Sequence, residues 1–217
     1  MRTVLFSAYL ENADALENGS VESVRVDMPC DATVLAAAIA QCGGRAVVVD
    51  TNDTLDYLDN VYHSGGWADP QELNVLAHAL ENCENSDVVK EYLENVTGFE
   101  SVLGAANIAV QMDDAIEEGE VSYYVYTSHN VDDDMRVGES FYNDYGEAFP
   151  EIAEFVDSRF GCCFDWDQFG RELRLEGTVT PGSDGYFLDT PYIRDDKYTF
   201  DELCELTDYK PVGTVQD

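Results

Sequence analysis

Carboxylates dominate the chemistry available to this chain. Asp and Glu number 45 against 11 Lys and Arg, a formal net charge of -34 over 217 residues. They recur in clusters through the second half: Asp113 and Asp114; Glu117, Glu118 and Glu120; the run Asp132-Asp133-Asp134; Glu139, Asp144 and Glu147; the triplet Glu151, Glu154 and Asp157; then Asp165, Asp167 and Glu172. Carboxylates can ligate a hard cation, work in pairs as acid and base, or present a negative field. A calcium loop of the EF-hand type needs alternating ligands, a Gly at its sixth position and a Glu at its twelfth. Counted from Asp132 those positions hold Val137 and Asn143, and counted from Asp50 they hold Leu55 and Val61, so both runs fail. A glycosidase pair is defined by its separation, and among so many acids any pair can be drawn. The field is what remains.

Other reactive groups are sparse. His63, His78 and His129 stand in no H-E-x-x-H spacing, and no phosphate-cradling glycine loop or nucleophile elbow occurs. His78 falls in a stretch of helical spacing and reads as a helix-surface residue. The six cysteines (Cys30, Cys42, Cys83, Cys162, Cys163 and Cys204) form no C-x-x-C. Adjacent Cys162 and Cys163 do not easily share one metal or one ordinary disulfide. All six read as buried or half-buried free thiols in a reducing compartment. No catalytic residue, cofactor or metal site is expected, and the chain does not read as an enzyme.

The acids must be carried by a folded body. Hydrophobic residues make up 45% and aromatics 12% of the chain, too many for a solvating acidic tail. No run approaches the roughly 18 apolar residues of a membrane span. The N-terminus lacks the long apolar stretch and cleavage site of a signal peptide, so a cytoplasmic protein is expected. Like charges disfavour direct binding to nucleic acid or to an anionic membrane; a basic groove is the natural partner.

The pattern along the chain predicts an α+β protein. In residues 1–66, Thr3–Tyr9 is β-prone, and Val21–Met28 alternates with Val24, Val26 and Met28 on one face. Asp31 caps a helix over Ala32–Gln41 that ends at Gly43-Gly44, and Arg45–Asp50 is a buried strand. An irregular acidic stretch then runs to a boundary at Ser64-Gly65-Gly66. Residues 67–119 read as a helical bundle. Asp69-Pro70 starts a helix with Leu73, Leu76, Ala77 and Leu80 inward. Ser86 caps a second with Val89, Tyr92, Leu93 and Val96, stopped by Gly98, and Phe99–Glu118 supplies one or two more. Residues 120–190 are mixed. A Tyr-rich strand covers Val121–Thr127, followed by helices over Asp132–Tyr145 and from Pro150. On the latter Ile152, Phe155, Val156 and Phe160 form a buried stripe, with Glu151, Glu154 and Asp157 on another face. Asp165 with Gln168 caps a helix bearing Phe169 and Leu173. Leu175–Thr180 and Tyr186–Asp189 make a hairpin around Pro181–Gly185. Residues 191–217 are an appended extension with a short helix at Phe200–Leu206.

One block in this pattern is distinctive. Phe164-Asp165-Trp166-Asp167-Gln168-Phe169-Gly170-Arg171-Glu172-Leu173-Arg174-Leu175-Glu176-Gly177 resembles the C-terminal signature of the ArdA antirestriction family. Glu72-Leu73-Asn74 is similar to the element that opens that family's helical middle domain. The strand Tyr123–Thr127 and the helix Asp132–Tyr145 also fall where the family has them. The first 60 residues match loosely, and 191–217 extends past the family's usual end. The resemblance implies an elongated α+β protein of three small domains that imitates B-DNA. Such proteins occupy the DNA-binding groove of type I restriction–modification enzymes, commonly dimerise, and travel on conjugative plasmids and transposons. The clustered acids named above are the candidates for the DNA-like surface.

The charge has the scale this requires. B-DNA carries about one charge per 1.7 Å of axis, so 34 net charges correspond to ~58 Å of duplex, about 17 base pairs. Acids three apart on a helix rise about 4.5 Å, close to the phosphate rise of about 3.4 Å along one strand. Two other readings fit an acidic chain. One is a mimic aimed at another basic DNA-binding protein, such as a nucleoid or defence protein. The other is a halophilic protein of unrelated function, with which the three lysines Lys90, Lys197 and Lys210 agree.

Overall fold

The computed structural model of the chain describes residues 4–17, 22–43, 45–52, 68–96, 101–127, 133–189 and 191–211. The expected boundary at Ser64-Gly65-Gly66, the stop at Gly98, and His63, His129 and Asp132 lie outside the described residues. Among the described residues the fold is α+β, with two three-stranded antiparallel sheets and helices that outweigh them. The chain forms two compact units, residues 1–117 with 193–217, and residues 118–192. Among the described residues no helix is long and apolar enough to cross a membrane.

In the first unit β1 (Phe6–Asn12) lies between β2 (Val24–Met28) and β3 (Ala46–Asn52), both antiparallel to it. Phe6, Ala8 and Leu10 are buried along one side of the central strand, and Val26 and Met28 are buried as their alternation predicts. A short helix, α1 (Ala13–Glu17), follows β1. The Ala-rich α2 (Ala32–Gln41) buries Leu35 and Ala38 and closes where Gly43 takes φ +73°. The helical part comprises α3 (Pro70–Asn82), α4 (Ser86–Asn95) and α5 (Val102–Glu117). Asp69 accepts a hydrogen bond from Gln71 N at 2.7 Å and Pro70 opens α3, the start expected from their types. Residues 102–117 form a single 16-residue helix.

His78 corrects the sequence reading. It is buried at 4% exposure: its Nε2 donates to the Cys30 carbonyl across 3.2 Å, and its ring stacks on Tyr209 with centroids 5.2 Å apart. The reason is that α3 is enclosed on more than its apolar stripe. Asn74 exchanges two 2.9 Å hydrogen bonds with the Cys30 backbone on one side. On another side the chain after residue 192 returns as a strap. Ile193 N donates to Tyr92 Oη at 2.8 Å, Asn107 bonds the Tyr198 backbone in both directions, and α9 (Phe200–Leu206) buries Leu203 and Cys204. The boundaries of α9 are those the sequence predicts. Thr199 and Glu202 add a reciprocal capping box at its start.

In the second unit β6 (Gly185–Leu188) pairs with both β4 (Tyr123–Val125) and β5 (Val179–Pro181). Against this sheet pack α6 (Asp133–Tyr145) and α8 (Trp166–Leu175), around a core of Tyr126, Val137, Phe141, Leu173, Val179 and Tyr186. The hairpin is present, but Leu175 closes α8 and does not open a strand; Gly177, at φ +74°, turns the chain first. The stripe expected after Pro150 is also corrected. The helix α7 (Pro150–Val156) ends before Phe160, Ile152 and Val156 are half-buried, and Phe155 and Phe160 are 42% and 51% exposed. Only two turns long, α7 has no second apolar layer, and its rings meet other rings, Phe155 lying 6.1 Å from Phe164.

Candidate functional site

The distinctive block 164–177 organises the second unit from within. Asp165 accepts from Gln168 N at 2.9 Å and starts α8, and Phe164, Trp166 and Phe169 form one aromatic cluster, the first two rings 4.5 Å apart. Gly170 then allows α8 to meet α6 backbone to backbone. A Cβ on Gly170 would stand 1.8 Å from the Asp134 carbonyl oxygen, and one on Gly138 would stand 2.3 Å from that of Trp166. The close crossing brings Arg171 and Arg174, one turn apart on α8, to Asp134 in the first turn of α6. Arg174 donates through Nε at 2.9 Å and Nη2 at 3.1 Å, and Arg171 through Nε at 3.3 Å. The Arg174 hydrogen bonds foremost, opposed by some burial and joined by Arg171, hold the Asp134 carboxyl below the usual carboxylate range.

The cations of this unit are engaged by neighbouring side chains, although Arg159, Arg171 and Arg174 are themselves exposed. Residues 118–192 contain four arginines and no lysine. Besides the Asp134 clamp, Arg171 reaches Asp167 at 3.7 Å; Arg136 pairs with Asp133 at 2.8 Å and covers the Tyr126 ring at 4.3 Å. Arg159 stacks on Phe160 at 4.6 Å. Most of the other candidate acids of this unit have no cation beside them among the described residues. Glu118, Glu120, Glu147, Glu151, Glu154, Asp157 and Glu172 are exposed, Glu139 is half-buried, and none of them forms an ion pair among the described residues. Asp144 is exposed and accepts from Tyr186 Oη at 2.6 Å; burial first, then Asp144 itself, pushes that phenol's pKa up, so it stays a donor. An open hollow of about 590 Å³ runs along the junction of α6 and α7, lined by Tyr142, Asp144, Glu147, Ala153 and Asp157 among others.

In the first unit the candidates lie on α5. Asp114 and Glu117 are exposed. Asp113 instead turns inward to the start of α4 and accepts from Glu84 N at 2.8 Å, Asn85 N at 3.0 Å, Asn85 Nδ2 at 2.8 Å and Cys83 Sγ at 3.4 Å. Partial burial works against its charge, but the Glu84 and Asn85 donors prevail and hold its carboxyl below the ordinary range. Burial, then Asp113, pushes the Cys83 thiol up to about 12, which keeps it protonated as a donor. Asp113 thereby caps α4 from a neighbouring helix.

The clamp of Asp134 by Arg171 and Arg174 was not legible beforehand as a pair. Its signal is the Gly170-Arg171-x-x-Arg174 spacing, a close-approach glycine beside two cations on one helical face. Together the elements define an α+β protein whose few basic side chains in residues 118–192 are each engaged by a neighbouring carboxylate or ring, while many of its acids stay exposed and unpaired. Residues 8–188 match the antirestriction protein (ArdA) family, and the chain belongs to it. Membership indicates an antirestriction function. No curated protein matched the chain in sequence comparison.

Proposed function

We propose that this protein counters restriction by imitating B-DNA and occupying the DNA-binding groove of a type I restriction–modification enzyme. It would act in the cytoplasm as a homodimer, carried with an incoming mobile element. The observation that supports this reading is the separation of charge within residues 118–192: every arginine is bound to a neighbour, while Glu147, Glu151, Glu154, Asp157 and Glu172 stay exposed and unneutralised. Lysines and arginines that meet phosphates in the enzyme would meet these carboxylates instead, and encounter would be accelerated by the opposed fields. No covalent step is involved; inhibition is competitive occupancy. The test is cleavage and methylation of unmodified DNA by type I enzymes titrated with the protein. Loss of both activities near stoichiometric ratio is expected. Full activity at large excess across several type I enzymes would overturn the assignment of target.

A further inference from the structure

Cys162 and Cys163 correct the expectation that all six thiols are buried or half-buried: both are exposed, because they lie on a short surface turn, whereas Cys30, Cys83 and Cys204 are buried and Cys42 is half-buried. They lie in a 3₁₀ turn, Gly161–Cys163, fixed by Cys163 N donating to the Phe160 carbonyl at 2.8 Å and Phe164 N to the Gly161 carbonyl at 3.0 Å. On an extended backbone successive side chains point to opposite faces, which would hold the two sulfurs apart. The turn overrides that geometry, and the two Sγ atoms stand 4.0 Å apart.

We propose that Cys162 and Cys163 form a chelating site for a soft, thiophilic metal ion such as monovalent copper. Metal–thiolate bonds of about 2.3 Å span sulfurs 4.0 Å apart at an angle of about 120°, so both thiolates reach one ion without a change in the chain. Two such ligands leave a trigonal position open. Among the described residues no group of three or more His, Cys, Asp or Glu is placed to hold a metal. With no described residue in that position, it is filled by solvent or a donor molecule, and the ion is exchangeable and not structural. Thiolates select soft ions, whereas the surrounding carboxylates suit hard ones, so the abundant acids do not compete for it. The anionic exterior attracts a cation and repels anionic disulfide reagents, which favours metal capture over thiol–disulfide exchange. On binding, each thiol releases its proton to solvent, two metal–sulfur bonds form, and the ion sheds two weaker ligands with no change of oxidation state. Neither sulfur belongs to the acidic surface proposed above, so the two readings fail separately.

The experiment titrates the reduced full chain anaerobically with monovalent copper against a coloured copper chelator, and maps protected thiols by alkylation and peptide mass. One ion per chain is expected, with Cys162 and Cys163 protected together. Cys162→Ser and Cys163→Ser should each weaken binding about 100-fold through loss of the second tether, while Cys42→Ser should leave it unchanged. Protection confined to other cysteines, or single Ser variants that bind like the parent, would overturn the proposal. The footprint on the parent protein needs no variant, so it decides the matter even if a substitution disturbs the turn.

Discussion

At Asp113 four donors converge on one carboxylate, whereas at Glu151 none does. The two acids are alike in the sequence and differ only in what the fold brings to them. Asp113→Asn removes charge-assisted hydrogen bonds and should lower stability by about 1–3 kcal/mol, measured as a shift in urea midpoint. Glu151→Gln should change it by less than about 0.5 kcal/mol. The pH dependence follows from the depressed carboxyls of Asp113 and Asp134. Their stabilisation is fully present above the unfolded Asp value of about 3.9 and is lost as pH falls through their lower folded values. The gap in urea midpoint between the parent and Asp113→Asn should therefore be constant from neutrality to about pH 5 and narrow below pH 4. His78 makes the same point about legibility. Its type and spacing fit a surface position, and its burial depends on Cys30 and Tyr209, 48 residues before it and far downstream.

Elements with local determinants were readable. The composition of Ala32–Gln41, the Asp69-Pro70 start and the short apolar run Phe200–Leu206 each carry their own boundary signals, and all three helices form where those signals lie. Elements decided by partners were not. The stripe of α7 has helical spacing but too little length to be covered, and Leu175, expected to open the hairpin, belongs to α8, whose register is set by Gly170 against α6. Gly170 and Gly138 are the positions where the crossing of α6 and α8 is least tolerant. Gly170→Ala and Gly138→Ala each place a methyl against backbone and should destabilise residues 118–192 by about 3 kcal/mol, read from thermal unfolding of that unit. The strap formed by residues 193–211 gives a second prediction at this scale. Ending the chain at Tyr192 strips Leu203, Cys204 and Tyr209 from the helical core and leaves Asn107 and Tyr92 without their backbone partners. Residues 1–117 should then become protease-sensitive under conditions where residues 118–192 stay resistant.

Across the whole molecule the net charge of -34 acts in two opposite ways. In the free protein the acids repel one another, so moderate salt should raise the thermal midpoint by screening; a midpoint that falls between low and moderate salt would contradict that. In a complex with a basic groove the same charge is the source of affinity, and salt should weaken binding. The charge total was readable at once from the sequence. The pairing of Arg171 and Arg174 with Asp134 was not, because it depends on the contact between α6 and α8, which joins residues about 40 apart in the chain. Displacement of a labelled, unmodified duplex from a type I restriction enzyme, followed by fluorescence anisotropy as this protein is added at increasing salt, tests the central claim most directly. Near-stoichiometric release of the DNA at low salt, weakening steadily as salt rises, is the expected result. Retention of the duplex at large excess of the protein, or release indifferent to salt, would contradict the account.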